Sequence, residues 1–166
     1  TEVIISSEVS GKILELPFKE GSKVTKGDLL VRIKPDLAQA AMDRSEASLN
    51  NARANKASSD ARAVQAEAQM RNNQTIMDRN ERLLKDGAIS QAEYDNVRAT
   101  FETAQAEVLA AKESAKAASY MVQSAMASVK EARDSYSRTT IYAPMDGTII
   151  RLFAAGTATF VKAGDI

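Results

Sequence analysis

The chain has 166 residues, enough for one ordinary domain, and although 44% are hydrophobic, only 5% are aromatic and alanine supplies much of the rest, so its core must be thin. Its 22 basic and 22 acidic residues cancel, which leaves no net field to attract nucleic acid or anionic lipid. With no histidine and no cysteine it lacks the commonest zinc ligands, the usual base at neutral pH and the thiol nucleophile, which argues against an enzyme, and no apolar run approaches the roughly 18 residues of a membrane span.

Thr1 opens directly into strand-like text with no signal-peptide pattern. The stretch VSGKILELPFKEGSKVTKGDLLVRI, Val9 to Ile33, is rich in glycine and in β-branched or large apolar residues separated by turn signals, and it predicts several short strands. Its EGSKVTKGD segment lacks the spacing of a phosphate loop. Lys34 then leads into Pro35, and no further proline occurs until Pro144.

From Asp36 to Lys85 the pattern predicts a helix, started by Asp36 with Gln39 directly after Pro35. One seam position is held by Met42, Leu49, Lys56, Ala63, Met70, Met77 and Leu84. The other is held by Ala38, Ser45, Ala52, Ser59, Ala66, Asn73 and Asn80. Small residues let a partner helix approach closely, the methionines fill gaps, and Lys56 with the two asparagines is expected to lower stability and help to fix register.

Gly87 is the only glycine between Gly27 and Gly147. It suits the left-handed position just past a helix end, while Ser90 followed by Glu93 forms a capping box, with Ile89 and Tyr94 placed as a hydrophobic staple. The chain is therefore expected to turn back near 86–90.

From Gln91 to Ser137 the apolar residues keep a strict 3-4 spacing: Tyr94, Val97, Phe101, Ala104, Val108, Ala111, Ala115, Ala118, Val122, Ala125, Val129, Ala132 and Tyr136. So narrow a stripe predicts packing on one partner helix, as in a coiled coil. Each helix would be about 70–75 Å long at roughly 1.5 Å per residue. Glu102 and Glu107 lie in this alanine-rich text with no sign of a pocket and read as solvated.

The text APMDGTIIRLFAAGTATFVKAGDI, Ala143 to Ile166, repeats the opening pattern. Gly11, Ile13, Leu16, Val24, Gly27, Asp28 and Leu29 correspond to Gly147, Ile149, Leu152, Val161, Gly164, Asp165 and Ile166. Neither half can bury a core alone, so the two should pair. The predicted fold class is α+β: a long antiparallel coiled-coil hairpin, 36–137, inserted in a small, discontinuous all-β sandwich formed by 1–35 and 138–166.

These residues resemble a known family. SGKILELPFKEGSKVTKGDLLVRI is similar to the first half of a biotinyl/lipoyl domain, and RTTIYAPMDGTIIRL, Arg138 to Leu152, to the start of its second half. A helical hairpin between the halves is the arrangement of HlyD-like membrane fusion proteins, the periplasmic adaptors of tripartite efflux and secretion machines. The resemblance implies a non-enzymatic subunit of a Gram-negative periplasm that links an inner-membrane transporter of ABC or RND type to an outer-membrane channel for drug efflux or type I secretion. It also implies side-by-side assembly of several copies, commonly six, and no cofactor. The family usually adds a β-barrel, a membrane-proximal domain and an inner-membrane anchor, so the chain is expected to be a piece of a longer protein.

In adaptors that dock on TolC-type channels, the hairpin tip carries an arginine, a leucine four residues later and a serine seven beyond that. Arg79, Leu83 and Ser90 match each position, and the resemblance implies that these three contact the channel. Each residue also has a plainer reading. Ser90 is a helix cap, and Arg79 is one more charge on a solvated face. Leu84 and not Leu83 occupies the seam, which leaves Leu83 apolar beside it and favours a partner surface.

Two rival functions share the pattern. A biotin or lipoate carrier with a coiled-coil insertion would need a lysine on a tight exposed turn, whereas Lys34 leads into Pro35 and a helix. A purely structural coiled-coil spacer would place no demand on Arg79 or Leu83.

Overall fold

The computed structural model describes residues 3–150 and the short strand at 160–161. In chain order the elements are β1 (Gly11–Glu15), β2 (Lys23–Val24), β3 (Leu29–Ile33), α1 (Asp36–Lys85), α2 (Gln91–Ser137), β4 (Thr140–Tyr142), β5 (Gly147–Thr148) and β6 (Phe160–Val161). Contacts divide the chain into two compact units: Thr1–Ala47 with Ala127–Ile166, and Ser48–Met126.

In the first unit the strands form a four-stranded sheet of order β4-β3-β1-β6 and a two-stranded sheet of β2 with β5. Every strand from the second half of the chain pairs with one from the first, all antiparallel. The sequence repeat explains the pattern. Gly11 pairs with Val161 and Val24 pairs with Gly147, so the repeat-related residues make the same pair twice with the halves exchanged. Lys12 with Phe160 and Lys23 with Thr148 repeat the exchange one step along. The correspondences proposed for Leu152, Gly164, Asp165 and Ile166 lie outside the described residues.

Backbone bonds join the halves beyond the ladders. Gly27 N–H donates to the Ala143 carbonyl and Ala143 N–H to that of Asp28, both at 2.9 Å, and Ile33 N–H reaches the Thr139 carbonyl at 2.8 Å. The core of this unit is small: Val31 and Ile33 are almost fully buried, and Val24, Ala143, Ser7 and Thr139 are also buried. Fully burying side chains such as Val31 and Ile33 contributes about 1.5–3 kcal/mol each. Gly11 is required by packing, since a Cβ there would lie 2.6 Å from Ile33 Cγ2.

Neither helix contains glycine or proline, and both are alanine-rich, so nothing in their interiors interrupts the backbone ladder. Along α2 the seam positions from Tyr94 to Ala132 are all buried or half-buried, and Tyr136 is the one seam residue exposed. All the seam positions assigned to α1 are likewise withdrawn from solvent, with Leu49 buried.

Two of the polar seam residues bond within their own helix. Lys56 pairs with Asp60, and the Asn80 amide donates to the Ile76 carbonyl at 2.8 Å. Register between the helices is instead marked by pairs flanking the seam that the sequence reading missed. Glu67 meets Lys112 at 2.8 Å, and Glu46 meets Arg133 at 3.9 Å. The members of the two pairs are three heptads apart on each helix, which is the signature of an antiparallel coiled coil.

The two helix starts differ. At α1 the Pro35 carbonyl accepts the Gln39 N–H at 2.7 Å, so Pro35 is the cap and Asp36 is already inside the first turn. The Asp36 carboxylate takes Lys34 Nζ at 2.7 Å, and the Gln39 amide donates forward to Asp43 at 2.8 Å instead of back to the start. This corrects the expected Asp36–Gln39 start: lacking an N–H, proline fits this boundary, and the acid contributes through its charge at the helix N-terminus.

Candidate partner-docking tip

The tip lies wholly within the Ser48–Met126 unit. Arg82 and Lys85 occupy the last turn of α1, where positive charge meets the negative end of the helix dipole. Lys85 Nζ donates to Glu81 at 2.8 Å, and this bond raises the lysine pKa above its ordinary value. The helix then stops in a Schellman motif: Gly87 N–H donates to the Leu84 carbonyl at 2.9 Å and Ala88 N–H to that of Leu83 at 2.8 Å. Gly87 closes it at φ +72°, a backbone region that side-chain-bearing residues rarely enter.

Three residues later the second helix begins with a reciprocal cap. Ser90 N–H and its hydroxyl donate to Glu93 Oε2 at 2.8 and 2.9 Å, and Glu93 N–H donates back to Ser90 Oγ at 3.3 Å. Bonding to Ser90, first through its backbone N–H and then through its hydroxyl, holds the Glu93 carboxyl below the usual value. Ile89 and Tyr94, on either side of this start, are both half-buried.

Against this ordered turn, Arg79 and Leu83 stand four residues apart on one face of α1, and both are exposed. Leu83 keeps 36% of its surface in water while Leu84 turns into the seam. Arg79 makes no ion pair among the described residues, in contrast to Lys85 one and a half turns on. Ser90 is exposed across the turn, but its hydroxyl is committed to Glu93. The geometry thus groups Arg79 with Leu83 and gives Ser90 a separate place at the head of α2.

One residue of this surface escaped the sequence reading. Ile76 is 38% exposed and lies three positions before Arg79, on the same stripe as Leu83. The signal was present: Ile76, Arg79 and Leu83 follow a 3-4 spacing displaced from the seam, and the equivalent positions nearer the base, Ser48, Asn55, Arg62 and Gln69, are small or polar. No helix among the described residues is long and apolar enough to cross a membrane.

A sequence model of the family described as RND MFP, barrel-sandwich hybrid domain, matches residues 1–165. The chain belongs to this family of membrane fusion proteins. Its curated relatives include the toluene efflux pump periplasmic linker protein TtgD of Pseudomonas putida, 33% identical over 108 residues, covering 65% of this chain and 23% of the relative. The multidrug efflux pump subunit AcrA of Escherichia coli K12 is 32% identical over 145 residues, covering 87% of this chain and 30% of AcrA. Among solved structures, MacA of Actinobacillus actinomycetemcomitans is 29% identical with a TM-score of 0.48, covering 92% of this chain and 43% of MacA. This membrane fusion protein chain therefore spans less than a third of the length of those two curated relatives. The family is one of membrane fusion proteins, and its relatives are named as efflux-pump components, TtgD as a periplasmic linker protein and AcrA as a pump subunit.

Proposed function

We propose that this chain is the part of a periplasmic adaptor that bridges an inner-membrane transporter, of ABC or RND type, and a TolC-type outer-membrane channel, for drug efflux or type I secretion. The work divides between a lipoyl-like β domain, 1–35 with 138–166, and the hairpin, 36–137. In the assembled pump, copies stand side by side, commonly as six, with the inner-membrane anchor supplied by a part of the protein outside this chain. The hairpin tip docks on the channel through Arg79 and Leu83, with Ser90 holding the start of α2 in place. Cargo passes through without chemical change.

The observation that carries this reading is an arginine with no ion pair among the described residues and an exposed leucine four positions on, on one face of α1 beside a turn whose own backbone groups are closed by two caps. A cap-closed turn offers a fixed presentation, and an apolar side chain beside a cation suits a helical protein partner with carbonyl or carboxylate groups at its rim. Arg79→Asp and Leu83→Ala are each expected to abolish transport in cells lacking the native adaptor gene, with helicity and melting temperature unchanged. Full transport by both folded variants would instead mark the hairpin as a spacer.

A further inference from the structure

We infer that Ile76 is a further contact of the docking tip and the one that selects the partner: Ile76, Arg79 and Leu83 form a single stripe that takes a helix of the channel protein carrying two apolar side chains about 10 Å apart, with a carboxylate or carbonyl oxygen between them. The inference rests on the adaptor reading and adds how far down the hairpin the contact reaches and what chemistry the partner must present.

The two flanks of the α1 seam differ towards the tip. On one flank Glu67 takes Lys112 of α2, the Gln74 amide donates to Asp78 and Lys85 donates to Glu81, all at 2.8 Å. That flank is closed by its own pairs. The other holds Ile76, Arg79 and Leu83 within an arc of about 60°, at roughly 100° per residue. All three are exposed, and Arg79 makes no ion pair among the described residues. The polar neighbours are bonded back onto their own helix: Thr75 Oγ1 donates to the Arg71 carbonyl at 3.0 Å, the Asn80 amide to that of Ile76 at 2.8 Å and Arg82 Nε to that of Asp78 at 3.3 Å. What this flank leaves for a partner is one cation between two aliphatic side chains.

The sequence confines the stripe to the tip. Towards the base, the heptad position shared by Ile76 and Leu83 is held by Gln69, Arg62, Asn55 and Ser48, and that of Arg79 by Asn72, Gln65, Ser58 and Asn51. A stripe that served to widen the seam would stay apolar along the whole hairpin. This one turns apolar only in the last three turns of α1.

The spacing states the occupant. Ile76 and Leu83 lie about 10 Å apart along the helix axis, two turns, so they fit a partner helix whose apolar residues are likewise two turns apart. Covering both side chains removes water from Arg79, and a guanidinium desolvated without an acceptor is costly, so the partner must bring an oxygen to it. A second copy of this chain laid stripe on stripe would set Arg79 against Arg79. A channel helix that lacks the second apolar residue still meets Leu83 and Arg79 but leaves Ile76 in water, and that difference is what discriminates between channels.

The test is photo-crosslinking in cells from an unnatural amino acid placed at position 76, 83 or 69 of the full-length protein, with the yield from 83 measured again beside Ile76→Gln and Ile76→Leu. Position 76 is expected to give a channel product as 83 does, and position 69, one heptad towards the base, none. Ile76→Gln, a good helix former of similar size, is expected to lower the yield from 83 about tenfold, and Ile76→Leu to keep it near wild type, with helicity by circular dichroism unchanged in both. No channel product from 76, a product there with a second copy of this chain, or an undiminished yield from 83 beside Ile76→Gln would overturn the inference and, as long as 83 still reacts with the channel, leave the adaptor reading standing. Absence of a channel product from both 76 and 83 would overturn the two together.

Discussion

At Gly87 a single torsion decides where the chain turns, since φ +72° strains any residue with a Cβ and the space around it is open. Gly87→Ala is therefore expected to cost about 1–2 kcal/mol through backbone strain alone, read as a lower midpoint in urea unfolding followed by circular dichroism. Gly11 tests the opposite case, a glycine held by crowding: Gly11→Ala would press on the buried Ile33 and cost about 1–3 kcal/mol in unfolding of the β unit. Gly87 and the Ser90–Glu93 cap could be read in the sequence because their signals are local, a residue type at a fixed offset from a periodic run, whereas Gly11 entered only as a member of the repeat and its crowding against Ile33 shows only in the fold. Asp36 could not be placed as well, because Pro35 and Asp36 are both good residues for a helix start and only the backbone bond from Gln39 shows which one is the cap. Ile76 was passed over because one apolar residue off a seam carries no meaning until its exposure is known.

The helices were legible because a 3-4 spacing sustained over thirteen positions fits no other element, and the buried seam falls on those residues. The register between the helices was not. Alanine and valine dominate the α2 seam and are nearly alike after a slip of one heptad, so the more varied α1 seam, with Lys56 and its asparagines, finds little there to say which residue faces which. That information lies in the flanking pairs, Glu67 with Lys112 and Glu46 with Arg133, which become visible only once the turn has set the helices side by side. Bonding to Lys112, reinforced by its charge, holds the Glu67 carboxyl below its ordinary 4.5. A carboxyl lowered on folding stabilises the folded state above its unfolded value, and that contribution disappears as pH falls through the lowered value. The hairpin's melting temperature is accordingly expected to drop as pH goes below about 4.5. Glu67→Gln should flatten this dependence, and a thermal melt series from pH 7 to pH 3 for both proteins checks it. Identical profiles would remove Glu67 from the account.

For the whole chain, the β unit is the clearest case of a long-range prediction from sequence. Gly11 with Val161 and Val24 with Gly147 are the same pairing made twice, and it could be foreseen only by noticing that the text around Gly147 repeats that around Gly11. The strands themselves were less legible, being two to five residues long and too short to show a period. Because the halves hold each other through these ladders, a chain nicked between Gly87 and Ala88 is expected to keep both fragments together on gel filtration without denaturant. Their separation there would mean that the ladders and seam do not hold without the covalent turn.

The docking claim is tested most directly by photo-crosslinking in cells from an unnatural amino acid at Leu83, with Val64, an outward residue of the same helix exposed at 62%, as the control position. The account predicts a covalent product with an outer-membrane channel protein from position 83 and none from position 64. No product from 83, or equal products from both, would contradict it.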